Sequence, residues 1–200
     1  MPKSYLPLTT MPLRTGISFA HPAEPPELLH WEDSAQLAMV DFKYIKAITI
    51  SPDDSIDAAL LGVKNSIYHA LLVVNKEQHI LGIITAEDLL GEKPLKAIQE
   101  RRIARADMVV RMVMTPQHEI LALDLENLRH AKVGHIVETL RAHKQHYALV
   151  VKVDEKTHAH TVRGLYSSAL LSKQLGRDVL SALPEAHSIA ELHHDLHLND

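Results

Sequence analysis

"LGIITAEDLLG", residues 81–91, is an apolar strand that ends in Thr85 and turns straight into a helix carrying an acid three residues on. Two readings of Thr85-Ala86-Glu87-Asp88 are open. Thr-x-x-Asp is a variant of the capping box, in which hydroxyl and carboxylate satisfy backbone donors of the first helical turn. The same carboxylate can accept hydrogen bonds from both hydroxyls of a ribose, beside a helix start whose unpaired N–H groups favour a phosphate. Which reading holds depends on what surrounds the stretch.

Upstream, "KAITI" (46–50) reads as extended. In "SPDDSIDAALLGVKNSI", Ile56, Ala59, Leu60 and Val63 fall at i, i+3, i+4 and i+7 of an amphipathic helix entered through Asp54 or Ser55. "ALLVV" (70–74) is a buried strand, "NKEQ" a turn and "HILGIIT" the returning strand. Val133, Ile136, Val137 and Leu140 repeat the helix pattern, each 77 residues after its counterpart, and "HYALVV" (146–151) answers "HALLVV" (69–74) at the same offset. After a loop five residues longer, "VRGLYSSALL" (162–171) answers "ILGIITAEDLL" (80–90). Strand, helix, strand, strand, helix therefore occurs twice, and a fixed-period repeat decides the architecture.

"DSAQLAMVDF" predicts a short helix capped by Asp33 or Ser34 before the first copy, and "VVRMVMTP" a short extended lead into the second. Between the copies, Pro94 suits a first helical turn, with Leu95, Ile98 and Ile103 as a rough apolar face. The expected organisation is a proline-rich, poorly ordered arm over 1–32, a first domain with lead-in and linker helix over 33–106, a second domain over 107–180 and a helical tail over 181–200.

Three features, "ITISPDDSIDAALLGV", the "HALLVV…HILGIITAEDLL" hairpin and helix, and "VVRMVMTP", resemble a tandem pair of cystathionine-β-synthase-type (CBS) domains, a Bateman module, over about residues 45–177. The resemblance implies an α/β (α+β) fold of two β-α-β-β-α units packed sheet against sheet with pseudo-twofold symmetry. It also implies clefts for adenosyl ligands such as AMP, ATP or S-adenosylmethionine, and homodimers formed through the helices. Carried over residue by residue, it assigns Thr85 and Asp88 to ribose and Ile48, Thr49, Ile50, His69 and Ala70 to the base pocket. The second copy departs from this pattern. Ser167, Ser168, Ala169 and Leu170 stand where the first has Thr85 to Asp88, and leucine cannot bind ribose hydroxyls. The second site, around Ser167 and Tyr147, is expected to be degenerate.

A ligand phosphate needs a cation. Candidates are Lys43, Lys46, Arg101, Arg102, Arg105, Arg111 and Arg163, with Arg105, Arg111 and Arg163 preferred, and Arg101 and Arg105 would share a helix face at i, i+4. The bland alternative for each is a solvated surface charge. Fifteen histidines raise a metal hypothesis, with His193 and His197 at i, i+4 near His194 and Asp195, and His158 with His160 on one strand face. Neither cluster has an obvious third and fourth ligand, and no metal or required cofactor is expected.

Catalytic patterns are missing: no GxSxG, Walker-type loop, HExxH or cysteine is present, so no enzyme activity is expected. Asp53 and Asp54 are adjacent acids that suit a helix cap, and Gly82 and Gly164 permit close approach of another backbone or a flat base. A net charge of −4 and 4% aromatic residues argue against nucleic acid and anionic membranes as partners. Lacking disulfides, a secretory signal and any long apolar run, the chain reads as soluble and cytoplasmic. The expected function is a regulatory module that binds an adenosyl ligand and signals to an unknown protein partner or its own dimer. The alternative is a ligand-free structural or dimerisation module.

Overall fold

A computed structural model describes residues 28–180; the prolines of the N-terminal arm up to residue 26 and the His193/His197 cluster lie outside the described residues. The lead-in forms α1 (Ala35–Ala38) and β1 (Val40–Asp41). The first repeat follows as β2 (Thr49–Ile50), α2 (Ile56–Asn65), β3 (Ala70–Val74), β4 (Ile80–Thr85) and α3 (Ala86–Leu90). A linker helix α4 (Glu92–Arg101) and two 3-10 turns lead to β5 (Thr115–Pro116). The second repeat is β6 (Leu121–Asp124), α5 (Val133–His143), β7 (Tyr147–Val153), β8 (His160–Ser167) and α6 (Ser168–Leu175).

Two four-stranded sheets result, ordered β2-β3-β4-β5 and β6-β7-β8-β1. In each, the first pair is parallel, spanned by the amphipathic helix, and the rest antiparallel. The duplication reaches irregular features as well: each central hairpin changes register at one place, between Val73 and Val74 and between Val150 and Val151, residues 77 apart. Ser55 caps α2 by accepting from the Ala58 N–H at 3.2 Å, which leaves Asp54 to bond the Ser51 N–H.

Alternation along the strands sorts side chains into three cores. Leu71, Val73 and Ile84 pack under α2 and α3, with Ile56, Ala59 and Val63 above them. Ala148, Val150 and Tyr166 do the same under α5 and α6. The opposite faces meet between the sheets, where Ala70, Leu72 and Ile83 of one sheet join Val40, Leu149 and Leu165 of the other. Of the expected Leu95–Ile98–Ile103 face, Ile98 and Ile103 pack against the core, whereas Leu95 is 63% exposed and Pro94 and Ala97 are the buried residues of the linker helix.

The lead-ins cross. The segment before the first repeat packs on the second: β1 pairs with β8, Ser34 bridges Lys132, and the buried Tyr166 hydroxyl donates to the Ala35 carbonyl at 2.8 Å. The segment before the second repeat packs on the first: β5 pairs with β4, and Val109 bridges Ser55. Both crossings need a glycine. A Cβ on Gly82 would lie 2.4 Å from the Thr115 carbonyl oxygen, and one on Gly164 2.5 Å from that of Val40. The close approach expected at these two glycines is therefore to another backbone.

Arg163 of β8 pins β1 through Asp41, its Nε and Nη2 each 2.7 Å from a carboxylate oxygen. Burial alone would raise the Asp41 pKa, but the Arg163 bonds and the Lys43 N–H outweigh it and hold the carboxyl below its usual value. Among the described residues, no helix is long and apolar enough to cross a membrane.

Gly82→Ala and Gly164→Ala should each destabilise the fold by roughly 1–3 kcal/mol in urea unfolding, because overpacking here meets main chain rather than a movable side chain. Unchanged midpoints would show that the crossed strands are not held this closely. Because the Asp41 pKa is lowered on folding, its stabilisation is present above the unfolded value of 3.8 and is lost as pH falls below it toward the folded value. Asp41→Asn should therefore flatten the acid limb of a melting-temperature profile, while lowering stability near pH 7 by about 1–3 kcal/mol.

Candidate functional site

The strand β4 delivers Thr85 to the N-terminus of α3, and both capping-box bonds are present. Thr85 Oγ1 accepts from the Asp88 N–H at 3.2 Å, and Asp88 Oδ2 accepts from the Thr85 N–H at 3.0 Å. The Thr85 hydroxyl also donates to Oδ2 at 2.9 Å, and both residues are buried. With five residues, α3 is too short to present a developed dipole to an anion, so the chemistry of the corner resides in its side chains.

The other carboxylate oxygen faces outward. Asp88 Oδ1 accepts from Lys93 Nζ at 2.5 Å and from Thr115 Oγ1 at 3.2 Å, while Lys93 also donates to Thr115 Oγ1 at 2.9 Å. Two features of the fold make this triad. Gly91 ends α3 and starts α4, bringing the chain so near the Glu87 carbonyl that a Cβ would sit 2.6 Å from it, and Lys93 falls in the first turn of the new helix. Thr115 arrives by the β5–β4 pairing, opposite Ile83. Lys93 was missing from the candidate cations because five residues is no helical spacing; only the break at Gly91 could have signalled it.

Thr85 and Asp88 open onto a cleft of ≈ 390 Å³ that is continuous with solvent. Its first wall is Ile83, Thr85, Glu87 and Asp88; its second is Ile120, Gln145, His146 and Tyr147, with Thr115 between. His146 bridges the walls, with Nε2 3.4 Å from Glu87 Oε2 and Nδ1 3.2 Å from Ser168 Oγ. Tyr147 donates to the His69 carbonyl at 3.1 Å, which ties the starts of β7 and β3. Burial pushes the Tyr147 phenol up to about 12, with the Asp88 and Glu87 carboxylates adding to the rise, so the hydroxyl remains a donor.

The base-pocket residues lie elsewhere. Ile48 and Ile50 pack toward α2, Thr49 pairs with Leu72, and Ala70 is fully buried between the sheets beside Thr85 in register. His69 is exposed with φ 54°, and none of the five lines the cleft. Their positions in it are taken by the equivalents 77 residues later, His146 and Tyr147. The sheets stack face to face, so the end of β4 opens toward the start of β7 rather than its own β3 neighbour. Tyr147, expected at the second corner, pairs with Ser167 there in register and also lines the first.

At that second corner Ser167 is buried and makes no side-chain cap bond to α6. Leu170, in the place of the acid, packs against the core between the sheets.

The preferred phosphate contacts are engaged outside the cleft: Arg105 with Asp57 at 3.8 Å, Arg111 with Asp53, and Arg163 with Asp41. Arg101 and Arg105 do not share a helix, because α4 stops at Arg101, Arg102 turns left-handed at φ 52° and Arg105 begins a separate 3-10 turn. His158 lies in the left-handed turn before β8 and His160 on its first residue, and among the described residues no three potential ligands gather to hold a metal ion.

Residues 42–94 match the CBS domain family model. No curated protein matches the chain by sequence. Of the solved structures, an uncharacterized conserved protein from Pyrococcus horikoshii aligns with a TM-score of 0.50 at 14% identity, covering 79% of this chain and 100% of that one. CBSX2, a CBS-pair protein from Arabidopsis thaliana, aligns as its complex with AMP with a TM-score of 0.49 at 18% identity, covering 70% of this chain and 94% of that one. A GMP reductase from Trypanosoma brucei gives 0.48 at 20% identity over 70% of this chain, which spans 27% of the reductase's length. A CBS domain is thus matched over residues 42–94, and the same β-α-β-β-α plan is repeated behind it.

Proposed function

We propose that this CBS pair is a non-catalytic regulatory module that binds one adenosyl ligand per chain in the cleft at Thr85 and Asp88. The observation that supports the reading is the buried carboxylate–hydroxyl pair opening onto a space walled by both repeats. A ribose edge can bond to Asp88, and the aromatic face of Tyr147 and the side chain of Ile120 offer apolar contact to a base. A ligand that touches both walls favours the relative arrangement of repeats in which both contacts are made, and its differential affinity is the signal. Output through association would use the outer helical faces, where Leu61, Leu90 and Leu95 are each more than 60% exposed; we infer a cytoplasmic homodimer or a protein partner as the reader.

A ligand-free structural module is the second reading, and one observation favours it: every acceptor position of the Asp88 carboxylate already has a partner in Thr85, Lys93 or Thr115. Thermal melting with AMP, ATP and S-adenosylmethionine separates the two. A ligand at about 100 times its dissociation constant should add about 2.7 kcal/mol of stability. Asp88→Asn should abolish the shift while keeping a capping side chain, and Ser167→Ala should leave it intact. No shift with any of the three ligands, or the same shift in Asp88→Asn, decides for the ligand-free module.

A further inference from the structure

The Lys93 ammonium bonds to Oδ1, the oxygen of the Asp88 carboxylate that the helix cap does not use. Oδ2 is committed to two bonds from Thr85, both inside the buried cap. Oδ1 takes the bonds from Lys93 and Thr115, and an ionised carboxylate has about four acceptor sites. A ribose hydroxyl arriving from the cleft must therefore replace a donor on Oδ1. Thr115 is fixed by β5, whereas Lys93 stands half exposed on a flexible four-carbon stem in the first turn of α4. Lys93 is the donor that moves.

We propose that Lys93 is the specificity-determining residue of this cleft, a displaceable ammonium that makes it selective for phosphorylated adenosines over adenosine and over cationic S-adenosylmethionine. Displacement breaks a charge-assisted bond to Asp88, and the loss is offset only if the freed ammonium meets a new anion. A phosphate one ribose away remains within the sweep of the lysine stem. Adenosine offers no such anion, and the sulfonium of S-adenosylmethionine adds a positive charge near the freed one. The arginines are not placed for this role, because Arg105, Arg111 and Arg163 pair with Asp57, Asp53 and Asp41, whereas Lys93 bonds to Asp88 and Thr115 of the cleft lining. His146, the basic side chain in the lining itself, already faces Glu87.

The inference rests on the adenosyl reading, and calorimetric titration of the full chain with AMP, adenosine and S-adenosylmethionine tests the two separately. In the wild-type chain AMP should bind about tenfold or more tighter than adenosine, the size of one charge-assisted hydrogen bond. In Lys93→Gln the ratio should fall to within about threefold, with adenosine and S-adenosylmethionine binding as well as or better than in the wild type. Lys93→Arg should keep the preference for AMP, and the ligand-free melting temperature of each variant reports whether the cap is intact. If Lys93→Gln binds AMP and adenosine with the wild-type ratio, or the wild type does not distinguish them, the role of Lys93 is overturned and the adenosyl reading stands. If the wild type binds none of the three, both fall.

Discussion

The backbone contact at two glycines holds the rest of the molecule in place. A carbonyl oxygen of each lead-in comes so near Gly82 or Gly164 that no side chain fits, and this lets the fourth strand close each sheet. Since each lead-in belongs in sequence to one repeat and in space to the other, neither sheet is complete without residues from both sides of the duplication. The two halves are interdependent, and a change that loosens β5 alters the first sheet although it lies at the start of the second repeat. Crossing also delivers Thr115 to Asp88, 27 residues away in the chain. The site is a product of the topology.

Asp88 shows why the capping and binding readings do not compete. Its two oxygens are divided: Oδ2 completes the cap of a five-residue helix that would have little stability alone, and Oδ1 points outward to Lys93 and Thr115. A short helix needs the cap because it has few internal hydrogen bonds, and the cap in turn fixes the rotamer that aims Oδ1 at the cleft. Local structure and chemistry are thus served by different atoms of one side chain.

What could be read from the chain divides along the range of the interactions. Ile56, Ala59 and Val63 with their counterparts 77 residues on are periodic, so the helices, hairpins and duplication were legible, as was the pairing of Thr85 with Asp88 across one helical turn. Contacts made across the sheet interface were not. His69 and Ala70 were assigned to the cleft that His146 and Tyr147 line, because the resemblance was carried over within one repeat while the cleft is built from two. Lys93 escaped because its approach depends on a chain reversal at Gly91, and Arg105 was put on a helix that ends at Arg101. The expected weakness of the second corner rests on one substitution, Leu170, and that partly buried side chain packs against the apolar core between the sheets.

The two corners therefore differ in kind. At Leu170 the place of the acid is filled by a partly buried apolar side chain whose packing against the interface core is stabilising. At Asp88 the same place holds a charge whose partner is half exposed. On the reading proposed above, one corner is filled by an apolar side chain and the other exchanges its internal cation for a ligand. A pair with two open corners would let each ligand oppose or duplicate the other's effect. With a single open corner, the proposed ligand would act on one edge of the interface while Leu170 keeps its packing at the other. The Tyr147 hydroxyl, which donates to the His69 carbonyl, ties the start of β7 to the start of β3 and so joins the two repeats beside both corners.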